Sequence, residues 1–368
     1  MKFLINCSNL DEGGGLQVAK SVIGQLNRYP NHFFFIVAST NFGEIKIQFD
    51  NNIKLYRYNI RHSLKTVLLG RDSFLDRILE DNQIDAVLTI FGPSVWRPRS
   101  PHLCGFARAQ LVLKDSPYYN RVSIKERFVY KVWTWMFRSC SSAFYSENSY
   151  ISKKLPDLLG KDVSIYTVTN YYNQIFDQPE SWLITKQLPA FKGITVLSVS
   201  SHYSHKNFEI LIEVARVFKR SCPSFKYRFV LTFNETEMYV PDDVRSYFLF
   251  IGKVDIKECP YLYKQADIMF MPTLMECFTA TYPEAMRMGV PVVTTDLEFA
   301  HGLCGNAACY YSPVDPQDAA DALHKVSTDR KYALQLIEEG YMQLKKFDDY
   351  EQRALKLITI LEEISRKG

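Results

Sequence analysis

The stretch DIMFMPTLMECFTATYPEAMRMGVPVVTT, residues 267–295 of a 368-residue chain, is the one whose reading decides the fold. Residues 268–271 are a short apolar run closed by Pro272, and residues 291–294 are a second, β-branched run after Gly289. The pattern between them predicts a helix of about ten residues. Strand, helix and strand in so few residues point to a parallel pair, because parallel strands need a crossover. Ligands of open parallel sheets gather where strands end and helices begin. Glu276 sits at that mouth, and Glu284 follows near the helix start. Thr281 and Glu284 also stand at capping-box spacing, so Glu284 reads either as a ligand-binding group or as a cap for orphan amides. Glu276, flanked by Met275, Cys277 and Phe278, is poorly placed for a solvated loop and reads as functional. Backbone N–H groups around Phe278, Thr279 and Ala280 add a positive end suited to an anion.

Working outward, the same alternation fills the second half of the chain. Strands are predicted over residues 194–199, 227–233 and 249–252, with helices over 207–219 and 257–265, then a strand at 308–312 and helices from Pro316 onward. The segment SHYSHKN, residues 201–207, joins the first of these strands to its helix. His205 and Lys206 there can donate to phosphate oxygens, and a Lys at a helix start is otherwise disfavoured by the helix dipole. Residues 170–192, with Pro179 and Pro189, break the pattern and read as a linker.

Before the linker, strands are predicted over 2–7, 33–39, 53–56, 84–91, 102–107, 143–146 and 163–168, with helices between them. This βαβ order indicates a first doubly wound domain. Gly13, Gly14 and Gly15 follow the first strand and lead into a helix over 16–27. They read either as a phosphate-cradling loop or as a flexible turn, since the last glycine of the dinucleotide fingerprint and the Lys of a P-loop are both lacking. Residues 114–138 interleave six cations (Lys114, Arg121, Lys125, Arg127, Lys131, Arg138) with seven aromatics (Tyr118, Tyr119, Phe128, Tyr130, Trp133, Trp135, Phe137). Two readings stand for this segment: a helix lying on an anionic membrane, or a core helix with its cations in solvent.

The chain is long for one core and suggests two domains. Its 47% hydrophobic and 23% charged residues place it among globular proteins, and a net charge of +4 is too small to argue for nucleic acid. The eight cysteines show no CxxC pairing, which fits buried free thiols and no zinc site. Residues 1–10 read as a strand and not as a signal peptide, and no apolar run reaches membrane-spanning length. The expectation is a cytoplasmic protein without a membrane span.

With residues 267–295, SHYSHKN and the early glycines together, the chain resembles the family 4 glycosyltransferases, retaining enzymes of the GT-B architecture that use nucleotide-activated sugars. The likeness covers nearly the whole chain and is strongest over 194–321. The spacing E-x7-E is matched by Glu276 and Glu284, and the trailing G-V-P-V-V by residues 289–293. The resemblance implies an α/β fold of two doubly wound Rossmann-like domains facing a central cleft. Residues 1–175 would be the acceptor-side domain, 190–345 the nucleotide-sugar-binding domain, and 346–368 a helix returning to the first. It implies that Glu276 contacts the donor sugar's hydroxyls, Glu284 the ribose, and Phe278, Thr279 and Ala280 the sugar and phosphate. Lys206 would hold the diphosphate with help from His205, Gly14 and Gly15 would close over the donor, and the turn at Gly252 to Val254 would flank the base. Two departures stand out. Many members carry an Arg where Ser201 stands, and many carry a His where Ala107 stands. Arg108, beside it, would serve acceptor or phosphate binding, and His102 reads as structural.

The implied reaction is front-face sugar transfer with retention from a UDP- or GDP-sugar to a glycan or lipid-linked acceptor, in surface polysaccharide biosynthesis. Glu276 and Lys206 would be catalytic, with no metal and no other cofactor. The implied partners are the donor, the acceptor and a membrane surface touched through residues 114–138, and no nucleic acid. The rival readings are a nucleotide-sugar-binding regulatory protein without turnover, and an epimerase or hydrolase of the same architecture.

Overall fold

Two entirely parallel sheets organise the chain, as the computed structural model shows. It describes residues 1–11, 13–43, 48–60 and 64–367, with the side chains of 64 and 65 left aside. Compact unit 1 comprises Met1–Lys114, Val122–Asn170 and Asp348–Gly368; unit 2 comprises Asp115–Arg121 and Tyr171–Phe347.

In unit 1 the chain runs β1 (Lys2–Cys7), α1 (Gly13–Ile23), β2 (Phe33–Ala38), β3 (Ile53–Arg57), α2 (Leu64–Leu69), α3 (Ser73–Asn82), β4 (Ala86–Thr89), β5 (His102–Phe106), α4 (Ile124–Cys140), β6 (Ala143–Ser146), α5 (Ser149–Leu159) and β7 (Ser164–Thr167). The strand order is β3-β2-β1-β4-β5-β6-β7. Strands such as FFFIVA are apolar on both faces because both faces are covered. Phe34, Ile36 and Ala38 enter one core together with Phe3, Ile5 and Cys7, while Phe35 and Val37 join Leu4 in a second core on the opposite side. Helix ends follow their caps. Asp72 accepts from Phe74 and Leu75 N–H at 3.1 Å ahead of α3, and Ser123 with Glu126 forms a full capping box on α4. Gly105 allows β5 to pass so close to β4 that a Cβ there would lie 1.9 Å from the Ile90 carbonyl.

Unit 2 follows as β8 (Ile194–Ser198), α6 (Ile210–Ser221), β9 (Tyr227–Leu231), β10 (Phe248–Phe250), α7 (Cys259–Tyr263), β11 (Ile268–Met271), α8 (Thr281–Arg287), β12 (Val292–Thr295), α9 (Glu298–Cys304), β13 (Ala308–Tyr311), α10 (Pro316–Thr328) and α11 (Arg330–Leu344). Its strand order is β10-β9-β8-β11-β12-β13. α6 buries Ile210, Leu211, Val214, Ala215, Val217 and Phe218, the stripe that a helical period brings to one side. The last helix, α12 (Tyr350–Lys367), belongs to unit 1, where Leu357, Ile358, Ile360, Leu361 and Ile364 join the core shared by α1 and β1. Each of its fully buried leucines contributes about 2 kcal/mol of apolar burial.

All eight cysteines are free, seven of them buried and Cys222 half-buried. Among the described residues no helix is long and apolar enough to cross a membrane.

Candidate active site

In each sheet two neighbouring strands send the chain off in opposite directions: β1 and β4 in unit 1, β8 and β11 in unit 2. Such switch points leave a crevice outside the carboxyl ends of the strands. The loops that follow β8 and β11 are laced together. Leu274 N–H donates to the His205 carbonyl at 2.8 Å, and the Thr273 hydroxyl lies 3.3 Å from the same carbonyl and 3.1 Å from Glu276 Oε1. From β12, Thr295 Oγ1 donates to Thr273 O at 2.7 Å and Thr294 Oγ1 to Met271 O at 2.8 Å, which fixes the start of the β11 loop.

That lacing brings two of the sequence candidates into contact. Lys206 Nζ forms an ion pair with Glu276 Oε1, with only 10% and 13% of the two side chains exposed. The Thr273 hydroxyl adds a hydrogen bond to the same carboxylate oxygen, which helps offset the cost of taking the pair out of solvent. His205 Nε2 lies 3.8 Å from the same carboxylate oxygen. Burial holds His205 below its ordinary pKa, with Glu276 pulling the other way and Lys206 adding to the fall, which favours the neutral ring. One of its nitrogens is then a donor and the other an acceptor.

Glu284 is held by a group that no local spacing announces. It is 5% exposed, and the Tyr263 hydroxyl of α7 donates to its Oε2 at 3.1 Å. The capping-box alternative does not hold: the N-cap of α8 is Ala280 without a side-chain cap, and Thr281 Oγ1 instead meets Thr279 Oγ1 at 3.0 Å. Burial pushes the Glu284 carboxyl up to about 7, opposed by the tyrosine hydrogen bond. The same carboxyl can therefore accept or donate a hydrogen bond near neutral pH. Phe278 is half-buried, its ring edge-on to Phe347 at 5.9 Å, and Thr279 is buried while Ala280 is half-buried. Gly252 takes φ +69°, and Val254 beyond it packs against the unit 2 core. Ser201 is exposed.

The segment Asp115–Arg121 was not distinguished by the sequence from the helix that follows it. Ser116 Oγ donates to Leu274 O at 2.6 Å, and Tyr118 OH meets Ser204 Oγ at 2.9 Å with its ring edge-on to His205. Arg121 NH1 donates to Asn207 Oδ1 at 3.1 Å. Asp115, Ser116, Pro117 and Asn120 are turn-forming residues that could have set it off from the helix, but local composition does not say which unit it packs on.

In unit 1 the three glycines are the opening turn of α1 and not a loop ahead of it. The space beside Gly13 and Gly14 is open, with nothing within 4 Å of an added Cβ, whereas Gly15 faces Leu10 and Phe91. Ala107 is exposed just after β5, and the Arg108 guanidinium lies over the Trp133 ring at 4.4 Å. His102 is enclosed: Thr89 Oγ1 meets Nε2 at 2.8 Å and the Cys140 carbonyl meets Nδ1 at 2.7 Å. Burial pushes its pKa down to about 4, so it is a neutral, structural ring. Among the described residues no three His, Cys, Asp or Glu side chains gather as metal ligands.

Residues 193–329, which contain Lys206, Glu276 and Glu284, match the family model described as Glycosyl transferases group 1. Over this segment the chain is similar to the group 1 glycosyl transferases. The chain is thereby a glycosyltransferase, and its two-sheet fold is the GT-B fold. No curated protein matches the sequence. Among solved structures, the transferase is similar to sucrose-phosphate synthase from Thermosynechococcus elongatus, with a TM-score of 0.74 and 13% identity over 100% of both chains. It is also similar to WaaG, a glycosyltransferase involved in lipopolysaccharide biosynthesis, with a TM-score of 0.65 and 13% identity over 98% of this chain and 99% of that one. Anabaena HepE in complex with UDP and glucose gives the same TM-score, identity and coverage. At such identities these likenesses establish the fold alone.

Proposed function

We propose that the chain is a retaining, metal-independent glycosyltransferase of the family 4 type. It moves a sugar from a UDP- or GDP-sugar to a glycan or lipid-linked acceptor in surface polysaccharide biosynthesis. The observation that carries this reading is the Lys206–Glu276 pair at the switch point of the unit 2 sheet, with Glu284 enclosed in the helix that follows. A diphosphate approaching the pair takes Lys206 as its counterion, which frees Glu276 to accept from sugar hydroxyls. Glu284, with one oxygen fixed by Tyr263, suits a pair of ribose hydroxyls. Ser201, His205, Val254, Phe278, Thr279 and Ala280 complete the donor-binding set on unit 2, and on unit 1 the candidates are Gly14 and Gly15 for the donor and Arg108 for the acceptor. The likeness to HepE, solved with UDP and glucose, supports the donor class, and the likeness to WaaG, involved in lipopolysaccharide biosynthesis, supports a surface-polysaccharide role.

Thermal-shift titration with UDP, GDP, ADP, CMP and dTDP tests this reading. A nucleotide at a hundred times its dissociation constant stabilises by about 2.7 kcal/mol. One uridine or guanosine diphosphate should shift the wild type, and Glu284→Ala and Lys206→Ala should each lose the shift. Binding that survives unchanged in both variants would remove the site from the place assigned to it.

The same reading places the enzyme on the cytoplasmic face of a membrane, bound through α4. The core-helix alternative is poorly supported, because α4 buries only Met136, Phe137 and Cys140. Its first turns leave Ile124 86% and Phe128 68% exposed, four residues apart on one side, with Val132 and Trp135 continuing the stripe. Lys125, Arg127, Lys131 and Arg138 are exposed around them. Apolar groups on a cationic helix suit the headgroup layer of an anionic bilayer, where each cation near the surface adds about 1 kcal/mol. The protein should therefore co-float with phosphatidylglycerol-containing vesicles at low salt and not with neutral phosphatidylcholine. An Ile124→Ser/Phe128→Ser variant should stay in the soluble fraction while keeping its nucleotide-dependent shift. Equal flotation of the variant and the wild type would exclude α4 as the contact.

A further inference from the structure

The segment Asp115–Arg121 is fastened to unit 2 at three points, all on the loops that carry Lys206 and Glu276. Its last residue has a distinctive partner. Asn207, immediately after Lys206, is 4% exposed and adopts φ +54°, a left-handed conformation that Asn tolerates better than most residues. Its Oδ1 accepts from Arg121 while its Nδ2 is buried without a hydrogen-bond partner. Native proteins rarely keep an unsatisfied buried donor, and here the amide is spent on holding one guanidinium.

We propose that Arg121 is a second cation for the donor's diphosphate, positioned by Asn207 beside Lys206. The inference rests on the nucleotide-sugar reading above and adds to it a residue from outside the transferase domain. Lys206 alone is a weak match for a diphosphate, since a single phosphate group already carries more than one negative charge and the lysine is already paired with Glu276. His205 is 3.8 Å from the same Glu276 oxygen, and burial disfavours its charged form. Arg121 is exposed, one N–H engages Asn207, and a guanidinium has further donors in a fork that fits phosphate oxygens. The bonds from Ser116 and Tyr118 hold the segment in place, so the fork is set before the ligand arrives and little side-chain freedom remains to be lost.

Calorimetric titration of UDP and UMP, or of GDP and GMP if guanosine is the base, tests this on the full chain. The set is wild type, Arg121→Ala, Arg121→Lys and Lys206→Ala. Arg121→Ala should lower diphosphate affinity about tenfold while leaving the monophosphate within about twofold, and Arg121→Lys should recover part of the loss. Salt should weaken diphosphate binding less in Arg121→Ala than in the wild type. Three results overturn the proposal. Diphosphate affinity intact in Arg121→Ala but lost in Lys206→Ala removes Arg121 from the site and leaves the nucleotide-sugar reading standing. Equal losses for diphosphate and monophosphate reduce the segment to structural support. A wild type that binds neither UDP nor GDP removes the nucleotide-sugar reading, and this inference falls with it.

Discussion

Lys206→Ala should lower turnover about a hundredfold, a loss of roughly 3 kcal/mol of transition-state stabilisation. The reasoning is electrostatic. In the proposed transfer, negative charge grows on the leaving diphosphate as the bond from the sugar's anomeric carbon to the phosphate oxygen breaks, and a cation already in place needs no reorganisation to meet it. Lys206 is in place because the β8 and β11 loops are bonded to each other and Glu276 anchors the ammonium. Removing Lys206 also strands a largely buried carboxylate, so the variant should be less stable as well as slower. The stability effect is isolated in a Lys206→Ala/Glu276→Gln double variant, which should regain melting temperature relative to Lys206→Ala. Turnover is read as release of free nucleoside diphosphate from the donor picked out by the nucleotide titration. A Lys206→Ala protein with an unchanged turnover number would leave the lysine a structural counterion only.

Arg353→Ala should destabilise unit 1 by about 3–5 kcal/mol, the usual cost of leaving a buried charge without its partner. Arg353 is 3% exposed on α12, bonded to Asn170 Oδ1 and, at 2.6 Å, to Ser21 Oγ. Its charge also faces Glu147, a fully enclosed carboxyl at the end of β6 whose Oε1 has no hydrogen-bond partner. Burial pushes Glu147 from its ordinary 4.5 up to about 7, and the arginine works against that rise. The sign follows from proton counting. Between 4.5 and about 7 the folded state holds a proton that the unfolded state has released, so stability falls as pH rises through this window. Without Arg353 the carboxyl rises further and the loss continues to higher pH. Melting temperatures at pH 5 and pH 8 should therefore show a much larger deficit at pH 8, and adding Glu147→Gln should flatten the difference. Equal deficits at both pH values would mean that the Arg353 hydrogen bonds, and not Glu147, account for the effect.

What could be read from the sequence was whatever local periodicity controls. The run at 268–271 is β11 to the residue, and the β8 and β12 runs differ from the structure by a residue or so, because strands buried on both faces advertise themselves as unbroken apolar segments. The two-sheet fold follows from such runs, whereas the pairing of Lys206 with Glu276 was not read from them: the family resemblance put both in the donor site but not in contact. Helix starts were less legible. The helix expected from residue 207 begins at Ile210, because Asn207 is left-handed and cannot open an α-helix. The glycines expected in a loop open α1 instead. Least legible were partners brought in from a distance: Tyr263 on Glu284, Arg353 beside Glu147, and Ser116 on Leu274. These contacts depend on which elements become neighbours in space, and no period of 2 or 3.6 encodes that.

The return of α12 to unit 1 bears on the order in which the protein can be made. Unit 2 is almost one continuous span, Tyr171–Phe347, and once that span has left the ribosome its core is covalently complete. Unit 1 is begun first, but an apolar face against α1 and β1 stays uncovered while unit 2 is made, because Leu357, Ile358 and Leu361 arrive only once α12 has followed the whole of unit 2. The reciprocal bonds between Thr169 and Asp348, from Thr169 N–H to the carboxylate at 2.9 Å and from Asp348 N–H to the hydroxyl at 2.6 Å, close only then. The half of the nascent chain that emerges first is therefore the half that matures last, and it is where a chaperone has the longest time to bind.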